Sequence, residues 1–135
     1  MSKRQWRLFI EDIFESADKI VKYTDGLNSD DFFKDPKTYD AVMRNLQIMG
    51  EAVKNVPREI KERYKHIHWK NITGLRNIIV HEYFGVKESV IWDIIKNGIP
   101  DIKRQIENIL KVLHAESDRL PITIDIQDSK DKRDD

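Results

Sequence analysis

The sequence contains no cysteine, and no part of it is both long and apolar. Without cysteine the chain can form neither disulfide bonds nor a thiolate zinc site, and it is compatible with a reducing compartment. No apolar run approaches the roughly 20 residues of a membrane-spanning helix, and acidic residues come before any signal-like apolar segment at the N-terminus. We therefore expect a soluble, cytoplasmic protein that makes no use of a membrane.

An excess of charge of either sign is also missing, because 24 basic residues balance 24 acidic ones. This balance argues against nucleic-acid binding through a global cationic field. Residues 54–70 are the exception, with two acidic residues against six basic ones: Lys54, Arg58, Lys61, Arg63, Lys65 and Lys70. We interpret Lys54, Lys61, Lys65 and Lys70 as candidate RNA-phosphate contacts. The alternative is an ordinary solvated helix face.

Apolar residues recur every three or four positions along most of the chain, which predicts helices. The first helix should cover about residues 3–23 and end near Gly26. Asp35 and Pro36 supply an N-cap and a first-turn proline for a second helix over about 36–54. A short helical turn should follow Pro57, and a third helix should cover about 69–83, where Gly85 can end it with a positive φ.

The remaining segments complete an all-α fold, an antiparallel bundle of four or five helices. We expect a short helix that carries Val90, Ile91, Ile94 and Ile95 and ends at Asn97 and Gly98. A last helix should begin at Pro100. With 39% hydrophobic residues in 135, the chain has enough apolar material for one core. Residues 1–120 should form this single domain. Residues 121–135 should form an extended, polar and partly disordered tail, although Ile122, Ile124 and Ile126 alternate as in a strand.

The third helix carries Arg76, Asn77, His81 and Tyr83 within an otherwise apolar segment. Arginine can direct two donors onto a phosphate, and the unperturbed pKa of histidine suits proton transfer near neutral pH. Together these side chains predict a site that cleaves RNA without a metal ion. Taken singly, a histidine near a helix C-terminus is often a cap, and an arginine on a helix is often part of a surface ion pair.

Helical geometry limits how these groups can cooperate. At 100° per residue, Arg76 and His81 lie about 140° apart around one helix, at the two edges of the polar face. A frayed helix end or a second subunit would bring them to one phosphate. Our hypothesis is that two copies of the third helix pack about a two-fold axis, so that Arg76 of one copy and His81 of the other share a cleft.

The motif Arg-x-x-x-x-His-x-Tyr in a small helical bundle resembles that of the HepT-like ribonucleases of the HEPN superfamily. The resemblance is colinear over about residues 8–113 and is carried by Asp12, Tyr23, Asp35-Pro36, Ala41-Val42, Arg44-Asn45-Leu46, Ile48, Gly50-Glu51-Ala52, Trp69, Gly74, Arg76-Asn77, His81, Tyr83, Val86, Trp92 and Ile94-Ile95. Such extended agreement is more specific than the motif alone.

The resemblance implies a homodimeric, metal-independent endoribonuclease that needs no cofactor and is the toxin of a prokaryotic toxin-antitoxin pair. Its partner would be an MntA-like nucleotidyltransferase antitoxin, which silences the toxin by AMPylation of Tyr83. His81 would act as general acid or base and Arg76 would stabilise the phosphorane. Asn77 would orient the imidazole or contact phosphate. Glu51 and Arg44 would support the site from the second helix, or only bridge helices.

Three other readings remain open from the sequence. The chain could be a non-catalytic module in which the third helix mediates dimerisation and partner docking. It could instead be a nucleotide-binding helper of the nucleotidyltransferase. A metal site of His66, His68 and His81 is disfavoured, because residues two apart diverge on a helix and no nearby carboxylate completes the set.

Overall fold

The computed structural model describes residues 3–81, 85 and 87–118, which are almost entirely helical. Their α-helices are α1 (Lys3–Thr24), α2 (Ser29–Lys34), α3 (Pro36–Lys54), α4 (Arg58–Arg63), α5 (Trp69–Thr73), α6 (Leu75–His81), α7 (Glu88–Asp93) and α8 (Ile99–Asp118). A π-helical segment, Ile94–Gly98, joins α7 to α8. No strand forms among these residues, so the predicted all-α bundle is confirmed, while the homodimer stays a prediction.

Helices α1 and α3 agree with the sequence prediction to within one residue at each end. The side chain of Asp35 accepts from the backbone N–H of Thr38 at 3.3 Å and from its hydroxyl at 2.7 Å, and Pro36 occupies the first turn. These hydrogen bonds favour the carboxylate and lower the pKa of Asp35. The apolar stripe of α1 lies in the same buried cluster as that of α3, and each fully buried isoleucine or leucine contributes about 1.5–3 kcal/mol.

Helix α8 packs against α1 in the opposite direction. Lys96, just before α8, donates to the carbonyl of Thr24 at the end of α1 (3.4 Å). Lys103, further along α8, pairs with Asp18, which comes earlier in α1 (3.0 Å). The order of these contacts is antiparallel. Lys103 and Lys22 both bond the carboxylate of Asp18 and lower its pKa.

The predicted helix end at Asn97 and Gly98 is wrong. The chain instead widens into a π turn, in which the N–H of Ile99 bonds the carbonyl of Ile94, and continues directly into α8. A proline ring clashes with the carbonyl four residues earlier in a regular helix, and a π turn relieves that clash at Pro100. The burial of Ile95 and Ile99 holds the continuous helix in the core.

The predicted third helix is divided at Gly74 into α5 and α6. The N–H of Gly74 bonds the carbonyl of Lys70, and its own carbonyl accepts from Asn77 three residues on, which tightens the chain at this point. Gly85 has φ of +87°, as predicted for the residue that stops this helix. Residues 82 and 83 of the predicted helix lie outside the described residues.

Helix α2 departs from the prediction, and the predicted tail lies outside the described residues. Helix α2 is not foreseen by the sequence pattern: the side chain of Asn28 caps it through the N–H of Asp31 at 2.8 Å, and Phe32 anchors it in the core. The tail from 121 to 135, with Ile122, Ile124 and Ile126, lies outside the described residues.

Among the helices that the structure describes, none combines the length and apolar character needed to cross a membrane.

Candidate active site

Helix α6 packs against α3 and carries Arg76 at their contact. Leu75 and Ile78 are buried, whereas Arg76 is partly exposed and Asn77 is exposed. His81 is the last residue of α6, so its backbone is about 7.5 Å along the axis from Arg76 and about 140° around it, as the sequence predicts. The side chain of His81 and the whole of Tyr83 lie outside the described residues.

A glycine on α3 allows α6 to approach closely. Gly50 is buried, and a Cβ atom built there would overlap the Arg76 side chain at Cγ and lie 3.2 Å from the Arg76 backbone nitrogen. Only glycine leaves this space open without displacing Arg76. The contact fixes where Arg76 leaves the surface of the bundle.

Glu51, the next residue on α3, pairs with Arg76. Arg76 Nε lies 2.9 Å from Glu51 Oε1, and Lys54 Nζ approaches Glu51 Oε2 at 3.6 Å. The side chains of Arg76 and Glu51 are 39% and 48% exposed, so the pair contributes at most about 1 kcal/mol to folding. Its effect is to orient Arg76. Two cations around one carboxylate also leave this cluster with a net positive charge.

The cluster adjoins an open groove of about 370 Å³ between α1 and α3. Its lining residues are Phe9, Asp12, Arg44, Gln47, Ile48, Glu51, Ala52 and Asn55. The groove therefore contains two of the three predicted supporting residues, Arg44 and Glu51, and of these two Glu51 forms the ion pair with Arg76. The side chain of Arg44 is exposed and makes no ion pair with any residue that the structure describes.

Asp12 is a polar member of this groove that the chemistry of the sequence does not single out. Burial raises its pKa, and the neighbouring charges of Glu15 and Glu11 raise it further. One aspartate on an amphipathic helix looks like any solvated residue. The only signal for Asp12 is its place in the family resemblance.

The four predicted RNA-binding lysines divide into two groups. Lys54 belongs to the cluster around Glu51. Lys61, Lys65 and Lys70 line a separate groove of about 520 Å³ formed by α4, the following turn and α5. The basic residues of the segment 54–70 therefore lie in two separate positive sites and do not form one patch.

A metal centre has no support in the part of the chain that the structure describes, where no three histidine or carboxylate side chains gather at ligand spacing. His66 instead packs edge-on against the ring of Tyr64, with centroids 6.4 Å apart. The imidazole of His81, the third histidine of the metal alternative, lies outside the described residues.

Comparisons with known proteins agree on one family. Residues 13–109 match the family described as "Ribonuclease HepT-like". The chain is 39% identical over 118 residues to a Methanocaldococcus jannaschii protein with the provisional name of an RNase, covering 87% of this chain and 98% of that protein. It is 38% identical over 109 residues to a Thermococcus cleftensis protein named "Probable ribonuclease HepT", covering 81% and 99%. No solved structure matches significantly.

Proposed function

This chain belongs to the HepT-like ribonuclease family, and from that premise we propose that it is a toxin that cleaves RNA without a metal ion. The observation that carries the proposal is the placement of Arg76. The space left by Gly50 and the carboxylate of Glu51 hold this side chain, partly exposed, on the helix that ends at His81. A general acid or base such as an imidazole and a cation that stabilises the phosphorane can together cleave a phosphodiester without a metal ion.

The reaction follows from the chemistry of these groups. His81 removes the proton of a ribose 2′-hydroxyl, whose oxygen attacks the adjacent phosphorus. The bond from phosphorus to the 5′-oxygen then breaks, and a protonated imidazole supplies the proton to that leaving oxygen. Arg76 stabilises the charge on the pentacoordinate phosphorane, and Asn77 orients the imidazole or bonds a phosphate oxygen. The products are a 2′,3′-cyclic phosphate and a free 5′-hydroxyl.

Glu51 has a positioning role in this scheme. Its Oε1 atom holds Arg76 Nε at 2.9 Å in the absence of RNA, and a phosphate oxygen can take over the same donor because the pair is accessible to solvent. Arg76 is thereby oriented before substrate binds. Arg44, on the same groove, is placed to contact RNA beyond the scissile bond or to bridge helices.

The separation of Arg76 and His81 around α6 favours a dimeric site. Because about 140° separates the two positions, one helix does not direct both side chains at one phosphate unless the long arginine bends inward. In a two-fold dimer, Arg76 of one subunit and His81 of the other would meet across the cleft. The proposed active enzyme is therefore a homodimer.

The function is tested by incubating the protein with single-stranded RNA in the presence of a chelator. We expect RNA cleavage that leaves 2′,3′-cyclic phosphate ends. The same oligonucleotide with 2′-deoxyribose should stay intact, because it lacks the internal nucleophile. Cleavage only after a divalent cation is added, or equal cleavage of the DNA, would contradict the mechanism. No cleavage by protein whose mass shows an unmodified Tyr83 would favour the interaction module.

Tyr83 is proposed as the residue through which an MntA-like nucleotidyltransferase antitoxin silences the enzyme. The tyrosine oxygen would attack the α-phosphate of ATP, and pyrophosphate would leave. An anionic nucleotide two residues from His81 would occlude the cleft and repel an RNA phosphate.

We expect this modification to depend on Tyr83 alone. After incubation with the nucleotidyltransferase and ATP, intact mass spectrometry should show added AMP on the parent and on a Tyr23→Phe control, which removes an exposed tyrosine of α1. A Tyr83→Phe variant should gain no AMP and should keep cleaving RNA. AMP on the Tyr83→Phe variant would rule out this switch.

A further inference from the structure

A second positive groove lies on α4, α5 and the turn between them, outside the cluster around Arg76. The groove has a volume of about 520 Å³. Its lining residues are Arg58, Lys61, Glu62, Lys65, Ile67, His68, Trp69, Lys70 and Asn71. Four of these residues are cationic and one is a carboxylate, which is a large local imbalance in a chain without net charge.

The one carboxylate in the groove is already engaged. Glu62 Oε1 lies 3.2 Å from Arg58 Nε on the same helix. Lys61, Lys65 and Lys70 form no ion pair with a carboxylate in the described ranges. Three ammonium groups therefore share one concave surface without a compensating anion, and such a surface attracts a polyanion.

The scaffold beneath these lysines is fixed. The indole Nε1 of Trp69 donates to the carbonyls of both Lys61 and Tyr64 at 3.1 Å, which ties the end of α4 to the start of α5. The backbone N–H of His68 donates to Gln105 on α8 at 3.2 Å. The shape of the groove is thus fixed by hydrogen bonds between its own elements and by one hydrogen bond to α8.

Burial adds to the affinity of the groove for anions. Lys61 is partly desolvated, which lowers its pKa. A phosphate beside it would restore the interaction that its ammonium loses with water. Trp69, which also lines the groove, is only 9% exposed, so its indole is poorly accessible for stacking with a base. Recognition by charge without stacking is independent of base sequence.

The groove is close to the candidate active site along the chain. Lys70 in α5 and Arg76 in α6 are six residues apart, on consecutive helices divided at Gly74, so their backbones lie at most about 22 Å from each other. A single RNA strand can span that distance within a few nucleotides. Among polyanions, a nucleic-acid strand that passes both sites accounts best for the two positive clusters.

We infer that Lys61, Lys65 and Lys70 form a second phosphate-binding site, which holds the backbone of an RNA strand whose scissile bond lies at Arg76. This inference rests on the proposed function for the identity of the strand. The two sites then have different roles: the cluster around Arg76 takes part in cleavage, and the groove binds the RNA backbone independently of base sequence.

The test measures binding to an RNA that cannot be cleaved, so that activity plays no part in the readout. A fluorescent 2′-O-methyl oligonucleotide is titrated with the protein by polarisation at several salt concentrations. The groove variant carries Lys61→Gln, Lys65→Gln and Lys70→Gln, which remove each charge and leave a shorter, neutral polar side chain. The control carries Lys19→Gln, Lys34→Gln and Lys37→Gln, which remove the same charge from exposed positions elsewhere.

The groove variant should bind at least about tenfold more weakly at low salt, and its slope of log K against log salt should fall by about 2, or about 0.7 for each lost phosphate contact. The control should bind within about twofold of the parent. Both variants should melt close to the parent temperature. Equal losses in the two triple variants, or none in either, would overturn the inference.

Two further measurements separate this inference from the proposed function. If the parent binds the oligonucleotide through the groove but cleaves no RNA, the ribonuclease proposal fails and the groove stands. If the groove variant keeps its RNA affinity but no longer binds a nucleotidyltransferase partner, the groove receives an acidic protein surface and the RNA inference is wrong.

Discussion

Alanine in place of His81 is expected to lower the rate of RNA cleavage by about 10²–10⁴-fold, because the variant has no group to take the 2′-hydroxyl proton. Arg76→Ala should lower it by about 10²–10³-fold through the lost stabilisation of the phosphorane. Since both groups serve one transition state, the double variant should lose little beyond the larger single effect. Single-turnover cleavage of a labelled RNA in chelator measures all three.

Matched controls exist on α8. Arg104 is an exposed arginine paired with Asp101 at 3.3 Å, and His114 is an exposed histidine. Arg104→Ala and His114→Ala should cleave at the parent rate. All variants should retain their circular dichroism and melting temperature, since α6 keeps its buried residues Leu75 and Ile78. Cleavage by His81→Ala at the parent rate would remove this histidine from the mechanism.

The dimer proposal adds a complementation result to this series. Mixed and re-equilibrated, Arg76→Ala and His81→Ala subunits form heterodimers with one intact composite cleft. A statistical mixture should then recover about a quarter of the parent activity, since half of the dimers are mixed and each has one of two clefts intact. Continued inactivity of a mixture shown to contain heterodimers would mean that each subunit holds its own site.

The long helices could be predicted from the sequence because their signals are local and redundant. In α3, Asp35 and Pro36 mark the start, and an apolar stripe continues for the next five turns. Gly85 likewise indicates a helix stop by its own conformational freedom. Each of these features depends on residues within a few positions of one another, and the sequence shows them directly.

The departures from prediction arise where distant contacts override a local signal. Asn97, Gly98 and Pro100 resemble a helix break, but the burial of Ile95 and Ile99 favours a continuous chain with a π turn. The six residues of α2 are too few to show a helical period in the sequence, although the side chain of Phe32 is buried in the core. Local patterns carry no information about these tertiary contacts.

The sequence predicts the residues of the candidate site, but it does not show their contacts. The motif and the family resemblance identify Arg76 and Glu51 separately, but they are 25 positions apart and nothing periodic joins them. Only the packing of α6 on α3 shows that they form an ion pair and that Gly50 makes room for it. The sequence also suggests one basic patch, whereas the fold separates Lys54 from the other three lysines.

Gly50→Ala is expected to damage both stability and activity, although it adds one methyl group. The new Cβ would overlap the Arg76 side chain and lie 3.2 Å from its backbone nitrogen, so α6 must shift or Arg76 must turn away from Glu51. Overpacking of this kind costs about 1–3 kcal/mol of unfolding free energy. A shift of about 1 Å at Arg76 should also reduce cleavage by about 10²-fold.

A double-mutant cycle identifies the cause of this loss. In an Arg76→Ala background the overlapping Cγ atom is absent, so Gly50→Ala should cost less there by about 0.5–3 kcal/mol in urea unfolding. Gly98→Ala is the control, because its Cβ would meet only Ile94, at 3.8 Å, and alanine in a helix is favoured over glycine by about 0.5–1 kcal/mol. Equal costs of Gly50→Ala in both backgrounds would mean that the glycine serves helix α3 itself and does not create the space in which Arg76 is held.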